Sequence, residues 1–533
     1  MTESPVDRTL HANNQCTNEQ HPAQAGRRYR RFDRRSPAGG WRFAPFAYLR
    51  RVDTTALLLR SRAGPERGPF PVPVPGPPPA PPLEPRRPLP VGTVFLLALP
   101  GWAVASALQL PLAWDGASKL LRTLHDRSPY IPHDRHAGMI LKWPVLLAQA
   151  VTDDALVLRL VYSATYAAVP LLALALSWLV VRREAPWLFV WPSLGILVAT
   201  LPGQAFTDNE ALVATHLAWP LLLSLLLGLR APWQRYLAPV LVVTLFFLHP
   251  TSAAAFLAGA GLCAAGVALR RLPMARMLTW SGLLIVLAVV RFSLRDDFET
   301  RQSSLEVLLA SYRGSVEGPP ARALLVALAI GVLLALARPG EGRPAGRRRG
   351  LRLAPGRAVA VLLVLPALWL LPWAASPSLW GKALQYRAWC LLVTLPFVGL
   401  AALDCWRRPD AAALPADGED ARRLVAAGSA ALFSLVLVSQ AIAWWGLVGE
   451  LEDDLARADG GCLALDQTAA SSRTATRHWA TSSLAVVLQG RRPDTLVLAD
   501  AAECAEAERG GTPPVVGSGR PLRDEGWVIL PDR

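Results

Sequence analysis

The sequence predicts an all-α polytopic membrane protein of about eleven transmembrane helices, preceded by a disordered basic tail and followed by a small exported α/β domain. Three observations predict it. Of 533 residues, 52% are hydrophobic and only 18% charged, with a mean hydropathy of +0.29. Apolar runs recur at close to the ~20 residues that a helix needs to cross a bilayer. The 55 Lys+Arg and 40 Asp+Glu are spread unevenly along the chain. A soluble protein of this length would divide into about three or four domains, each with a polar surface to cover, and this composition does not supply that surface. A formal charge of +15 would suggest a nucleic-acid partner for a soluble chain. Here arginines retained in cytoplasmic loops account for it, and no nucleic-acid partner is predicted.

Residues 1–90 carry 15 Arg and 7 acids, with clusters such as Arg27, Arg28, Arg30, Arg31, Arg34 and Arg35. They end in a proline run from Pro69 to Pro90, which can sustain neither helix nor sheet and reads as an extended linker. No pattern of charged, apolar and cleavage regions begins at Met1, so no signal peptide is predicted. The stretch reads either as a disordered basic cytoplasmic tail or as sequence ahead of a true start further downstream.

From Val91 the spans fall near 91–114, 155–181, 186–202, 211–229, 236–249, 252–269, 275–294, 321–337, 358–375, 388–405 and 424–447. The run 236–269 is read as two spans turning at His249-Pro250, because the residue before a proline is pushed out of the helical region. Orientation follows from the arginines. With the N-terminus inside, Arg182 and Arg183, Arg230 and Arg235, Arg270 and Arg271, the cluster 338–357, and Arg407, Arg408, Arg422 and Arg423 all face the cytoplasm. A single span over 236–269 would break that agreement. Arg291 and Asp404, close to span ends, read as interfacial charges that snorkel to water.

The outer loops then hold the unusual residues. The longest, 115–154, carries Asp115, Lys119, Arg122, Lys142 and three histidines. The chain has only three lysines, Lys119, Lys142 and Lys382, and all three fall in loops assigned to the outside, where the positive-inside rule would not put them. Cations at headgroup level suit a phosphate, such as that of a lipid carrier; chance placement of a rare residue is the plainer explanation. Within this loop GMILKWPVLLAQAV is amphipathic and too short to span, which predicts an interfacial helix. Other outer candidates are Asp208 and Glu210 at a span entrance, His249 at its turn, and Lys382, Tyr386 and Arg387. Asp208 also reads as a helix N-cap and His249 as a helix-end cap. His133-x-x-His136 lacks a full set of metal ligands.

On these residues the arrangement from Val91 to Arg533 resembles the polytopic GT-C glycosyltransferases, of the protein mannosyltransferase and lipid A aminoarabinose transferase type. In that superfamily a first span leads at once into a long external loop with an essential acid. Asp115, directly after Trp114, matches that acid, although the family often has two adjacent acids or Asp-x-Asp where this chain has Asp-Gly. The resemblance implies transfer of a sugar from a polyprenyl-phosphate donor to an envelope lipid, glycan or protein on the outer face of a bacterial-type inner membrane. Asp115 would be the base. Lys119, Arg122, Lys142, Lys382 and Arg387 would hold the donor phosphate, and His249 and Tyr386 would contact substrate. Asp208 and Glu210 would assist or bind a divalent metal, which no residue pattern demands. The alternative is a non-catalytic or transport component of envelope polysaccharide or lipid export.

Residues 450–533 carry 9 Arg and 14 acids and are assigned to the outside. Strand-like runs at 462–466, 495–500 and 526–532, with helical spacing at 474–489 between the first two, predict a parallel pair joined by a crossover. Cys462 and Cys504 both lie here, where two thiols in an oxidising compartment are candidates to pair.

Overall fold

The computed structural model describes residues 91–113, 115–131, 135–200, 209–295, 385–407, 416–458, 461–468, 478–490, 495–498 and 501–509, with single positions between 300 and 332. All belong to the compact unit Leu83–Arg533. They form thirteen α-helices and one two-stranded sheet. The first eleven helices are α1 (Val91–Ala107), α2 (Asp115–Asp126), α3 (Trp143–Gln149), α4 (Ala155–Val181), α5 (Val190–Thr200), α6 (Glu210–Leu226), α7 (Gln234–Phe246), α8 (Ser252–Ala268), α9 (Met274–Ser293), α10 (Gln385–Arg407) and α11 (Ala416–Ala458). Three apolar stretches, Ala155–Val181, Met274–Ser293 and Arg422–Ala458, are long and apolar enough to cross a membrane, and five more apolar helices of 10–17 residues accompany them. Prolines stand inside α1, α4, α6, α7 and α10, which helices in lipid tolerate when neighbours satisfy the freed carbonyls.

The expected spans at 321–337 and 358–375 lie outside the described residues. Elsewhere the helix positions follow the apolar runs, with α7 and α8 separated at His249-Pro250. The first run differs. Its helix ends at Ala107 instead of continuing to 114, because Pro111 cannot donate to the carbonyl four residues back. The chain turns through a left-handed Gln109 (φ 58°) into a short 3-10 turn at Leu110–Leu112.

The centre of the bundle is α6, in which every residue from Glu210 to Leu226 is buried. It packs against α4, α5, α7, α8 and α10. A helix apolar all round can be stable only if it is enclosed in this way. Gly195 of α5 permits the closest approach, since a Cβ there would lie 2.2 Å from the Trp219 ring. Along the outside α1 packs on α11, where the Gly101 N–H donates to Ser434 Oγ at 3.0 Å.

Asp404 and Arg291 do not snorkel to water. Asp404 is fully buried and accepts two hydrogen bonds from the Arg422 guanidinium, at 2.5 and 2.9 Å, with the Trp191 indole N–H at 3.0 Å. Arg291 is buried as well. An unpaired carboxylate could not stay charged at that depth, but a bidentate guanidinium and an indole donor satisfy Asp404 where it is. Trp191 lies one turn before Gly195 and thus level with the last turn of α6, about 20 Å from Glu210 at 1.5 Å per residue.

Beyond the bundle α11 runs without a break through residue 450 to Ala458. A parallel pair follows, β1 (Gly461–Ala464) and β2 (Thr495–Leu498), in register from Gly461↔Thr495 to Ala464↔Leu498. The crossover helix is α12 (His478–Gln489), and α13 (Ala501–Glu508) follows β2. The run at 526–532 lies outside the described residues. α12 packs on α2 and α4, so this small unit backs the first loop. Cys462 and Cys504 form a disulfide with Cα atoms 5.4 Å apart. The pair lies with Ala464 in a small apolar cluster of its own, while Val497 of β2 is buried in the main core and Leu463 of β1 packs against it; the disulfide adds a covalent tie from β1 to α13. Removing the cross-link by Cys462→Ala with Cys504→Ala should cost this unit about 2–4 kcal/mol. Amides of β1 and β2 should then exchange with deuterium at least ~30-fold faster in the full chain; unchanged protection would contradict the staple.

Candidate functional site

The first loop is built on α2. Its second residue, Gly116, sits so close to the preceding 3-10 turn that a Cβ would fall 1.9 Å from the Pro111 carbonyl oxygen. That contact fixes where Asp115 begins the helix. Asp115, Lys119 and Arg122 then follow at i, i+4 and i+7, a spacing that places them along one side of the helix, while Ala117, Leu120, Leu121 and Leu124 are buried. Asp115 is half-buried at the helix start.

Lys119 points across to α6. Its ammonium donates to Glu210 Oε1 at 2.8 Å, and the Arg135 guanidinium donates to Glu210 Oε2 at 3.0 Å. Glu210 is 4% exposed and is the first residue of α6, ahead of the apolar run. Asn209 caps this helix by accepting the Ala211 N–H at 2.9 Å; the cap is thus Asn209 in place of the expected Asp208, which lies outside the described residues. Burial pushes the Glu210 carboxyl up, but Lys119, Arg135 and Lys142 together outweigh burial and hold it well below the usual carboxylate range.

A second layer of cations stands beside the first. Lys142, 1% exposed, donates to the Tyr130 carbonyl oxygen. Arg122 donates to the Tyr130 hydroxyl at 2.9 Å. The guanidinium carbon of Arg122 and the Lys142 ammonium lie 4.8 and 5.4 Å from the centre of the same ring, within cation–π range. Among the described residues four cations, Lys119, Arg122, Arg135 and Lys142, stand at this end of the bundle with the carboxylates Asp115 and Glu210; Asp134 and Asp208 lie outside the described residues.

The segment expected as one interfacial helix forms two pieces, a 3-10 turn at His136–Leu141 and the short α3. Pro144 lies within the first two residues of α3, and Lys142 between the two pieces turns inward. Ile140, Trp143, Leu147 and Val151 are exposed, so an apolar row still faces outward. The Ala137 N–H donates to the Phe247 carbonyl at 3.0 Å, and His136 meets the Phe247 ring edge-on at 6.1 Å, tying this loop to the α7–α8 turn. In that turn His249 is buried, and its Nδ1 accepts the Thr251 N–H at 3.1 Å and lies 2.9 Å from Thr251 Oγ1. His249 is thus engaged in closing the turn that starts α8.

Of the residues singled out from sequence, Asp115, Lys119, Arg122, Lys142 and Glu210 come together. Glu210 does so with both its oxygens engaged by cations. Lys382 lies outside the described residues. Tyr386 and Arg387 fall in the first turn of α10, and their side chains lie outside the described residues. Arg135 and Tyr130 were not among the site candidates. The one signal for Arg135 was the need of an acid at the head of an apolar run for a cation, and nothing in the spacing singles out Tyr130. Among the described residues no group of three His, Cys, Asp or Glu side chains could hold a metal, and His133 lies outside them. No protein-family model, curated protein or solved structure matches this chain.

Replacing Glu210 with Gln leaves two buried cations without their counter-ion, and should cost about 3–5 kcal/mol, read as the shift of the unfolding midpoint in detergent. A carboxyl lowered in the folded state stabilises fully above its ordinary value near 4.5 and progressively less as the pH falls below it. Wild type should therefore lose stability on acidification below about pH 4.5, and Glu210→Gln should show less of that slope. Equal slopes would contradict the ion-pair assignment.

Proposed function

We propose that this chain is a multi-pass membrane glycosyltransferase of the GT-C type, transferring a sugar from a polyprenyl-phosphate donor to an envelope lipid, glycan or protein on the outer face. The observation that carries the reading is the gathering of Lys119, Arg122, Arg135 and Lys142 around Glu210 and Tyr130, set beside a half-buried Asp115 at the start of α2. Eleven spans with the N-terminus inside would place α2, the α7–α8 turn and the disulfide-bearing unit together outside. The packing of α12 on α2 supports that grouping, and a disulfide suits an oxidising compartment. The exposed apolar row from Ile140 to Val151 would rest in the outer headgroup region.

In this reading Asp115 accepts the proton of the acceptor hydroxyl or amine as that atom attacks the anomeric carbon. The bond between the anomeric carbon and the phosphate oxygen breaks, and the lipid phosphate leaves with the electron pair. Charge grows on that oxygen, and Arg122 and Lys142, beside the Lys119–Glu210–Arg135 group, stabilise it without reorganising at the moment of reaction. Glu210 becomes the counter-ion that keeps the cations assembled when no donor is bound. One observation favours the transport alternative: His216 is buried within α6 and its Nε2 has no hydrogen-bond partner among the described residues, and a polar group at membrane depth is a common mark of a translocation path.

The test supplies a polyprenyl-phosphate hexose to the purified protein. Asp115→Asn should lower turnover about 10²–10⁴-fold, with the folded state intact by thermal denaturation. Full activity in this variant would remove the proposed base, and no turnover by wild type with any such donor would favour transport. An alkaline phosphatase fused after Arg533 should be active in cells; an inactive fusion would contradict the topology.

A further inference from the structure

Helix α2 ends at Asp126, and Arg127 takes a left-handed conformation (φ 47°) that stops the helix and turns the chain back. The reversal returns Tyr130 to α2, where its hydroxyl accepts a hydrogen bond from Arg122 at 2.9 Å. Tyr130 then meets the cations beside it in three ways. Its hydroxyl holds Arg122, and its backbone carbonyl accepts from the Lys142 ammonium. Its ring lies within cation–π range of both, 4.8 Å from the Arg122 guanidinium carbon and 5.4 Å from the Lys142 nitrogen. Like charges gathered at one place repel, and a single residue here offsets that repulsion with two oxygens and a ring. The cations of this group differ in access. Lys119, Arg135 and Lys142 are buried, whereas Arg122 is only half-buried.

We propose that Tyr130 is a positioning residue for the phosphate of the lipid donor, because it orders Arg122, the cation of this group that an arriving anion meets first. The inference rests on the glycosyltransferase reading and adds to it the residue that prepares the phosphate site. An arginine side chain has several rotatable bonds, and ordering it only when a ligand arrives costs affinity. A hydrogen bond at one corner of the rigid guanidinium fork, with an aromatic ring beside it, orders the side chain beforehand and fixes the plane in which its other N–H groups point. The ring alone attracts the charge without setting that plane. The hydroxyl sets it, which is the difference between tyrosine and phenylalanine at position 130. Lys142, being buried, acts on the same anion through its field, which water and salt screen little at that depth.

Titration of the full chain in nanodiscs measures affinity and stoichiometry for two probes, a polyprenyl monophosphate and the uncharged polyprenol. Wild type should bind the phosphate more tightly than the alcohol. Tyr130→Phe keeps the ring and the carbonyl, so it should weaken the phosphate about 3–10-fold at unchanged stoichiometry and leave the alcohol as it was. Arg122→Gln should weaken the phosphate at least as much. Adding Tyr130→Phe to Arg122→Gln should then cause no further loss, since Tyr130 acts through Arg122. Unchanged affinity in Tyr130→Phe, a fall in stoichiometry alone, equal weakening of both probes, or losses that add in the double variant would each overturn the positioning role. Equal affinity of wild type for the two probes is a separate failure: it removes the phosphate site, and with it both the glycosyltransferase reading and this inference.

Discussion

A carboxylate at the head of a helix buried on every side has few permissible environments, and Glu210 occupies one of them. At that position water is excluded and an isolated charge would cost many kcal/mol. The chain meets the cost with Lys119 from α2 and Arg135 from the following loop, both within 3.0 Å. These contacts do more than satisfy one acid. They fix α2 against α6, and α2 in turn carries Asp115 and Arg122 and receives α12 on another side. The loop that carries Arg135 is held a second time at Phe247, beside the turn containing His249. Several parts of the proposed site thus take their positions from one anion on the central helix.

A second buried ion pair stands near the other end of α6, where Asp404 and Arg422 join α10 to α11 and Trp191 adds α5. Asp404 takes two hydrogen bonds from one guanidinium and a third from the Trp191 indole, whereas Glu210 draws two cations from different elements, beside the Tyr130 ring with Arg122 and Lys142. The gathering of described cations at that end is the physical reason for placing the proposed chemistry there.

The helices were legible in the sequence because hydropathy is a local property. Ala155–Val181 could be read off its apolar run, and the turn at His249-Pro250 could be read from the proline. The parallel strands were visible as short runs of Leu and Val around a helical segment. The pairings were not legible, since Lys119 and Arg135 lie 91 and 75 positions from Glu210, and Trp191 lies 213 from Asp404. No periodicity reports such distances. Asp404, close to a span end, reads as interfacial because nothing local pairs it with Arg422, 18 positions on; the two meet where α10 and α11 both pack against α5. The end of α1 was placed too late because an apolar run continued through Pro111 after the helix had ended. Lys119 and Lys142 stand out by being rare, which draws attention to this loop but gives no hint that both are buried.

The central claim is that Glu210 and Lys119 act as one unit that holds the first loop on the bundle. A double-mutant cycle with Glu210→Leu and Lys119→Met, read by unfolding of the purified chain in detergent, measures that interaction directly. The account predicts that the double variant is more stable than the sum of the two single losses allows, with a coupling of about 2–3 kcal/mol. Additive losses, with coupling within about 0.5 kcal/mol of zero, would contradict it.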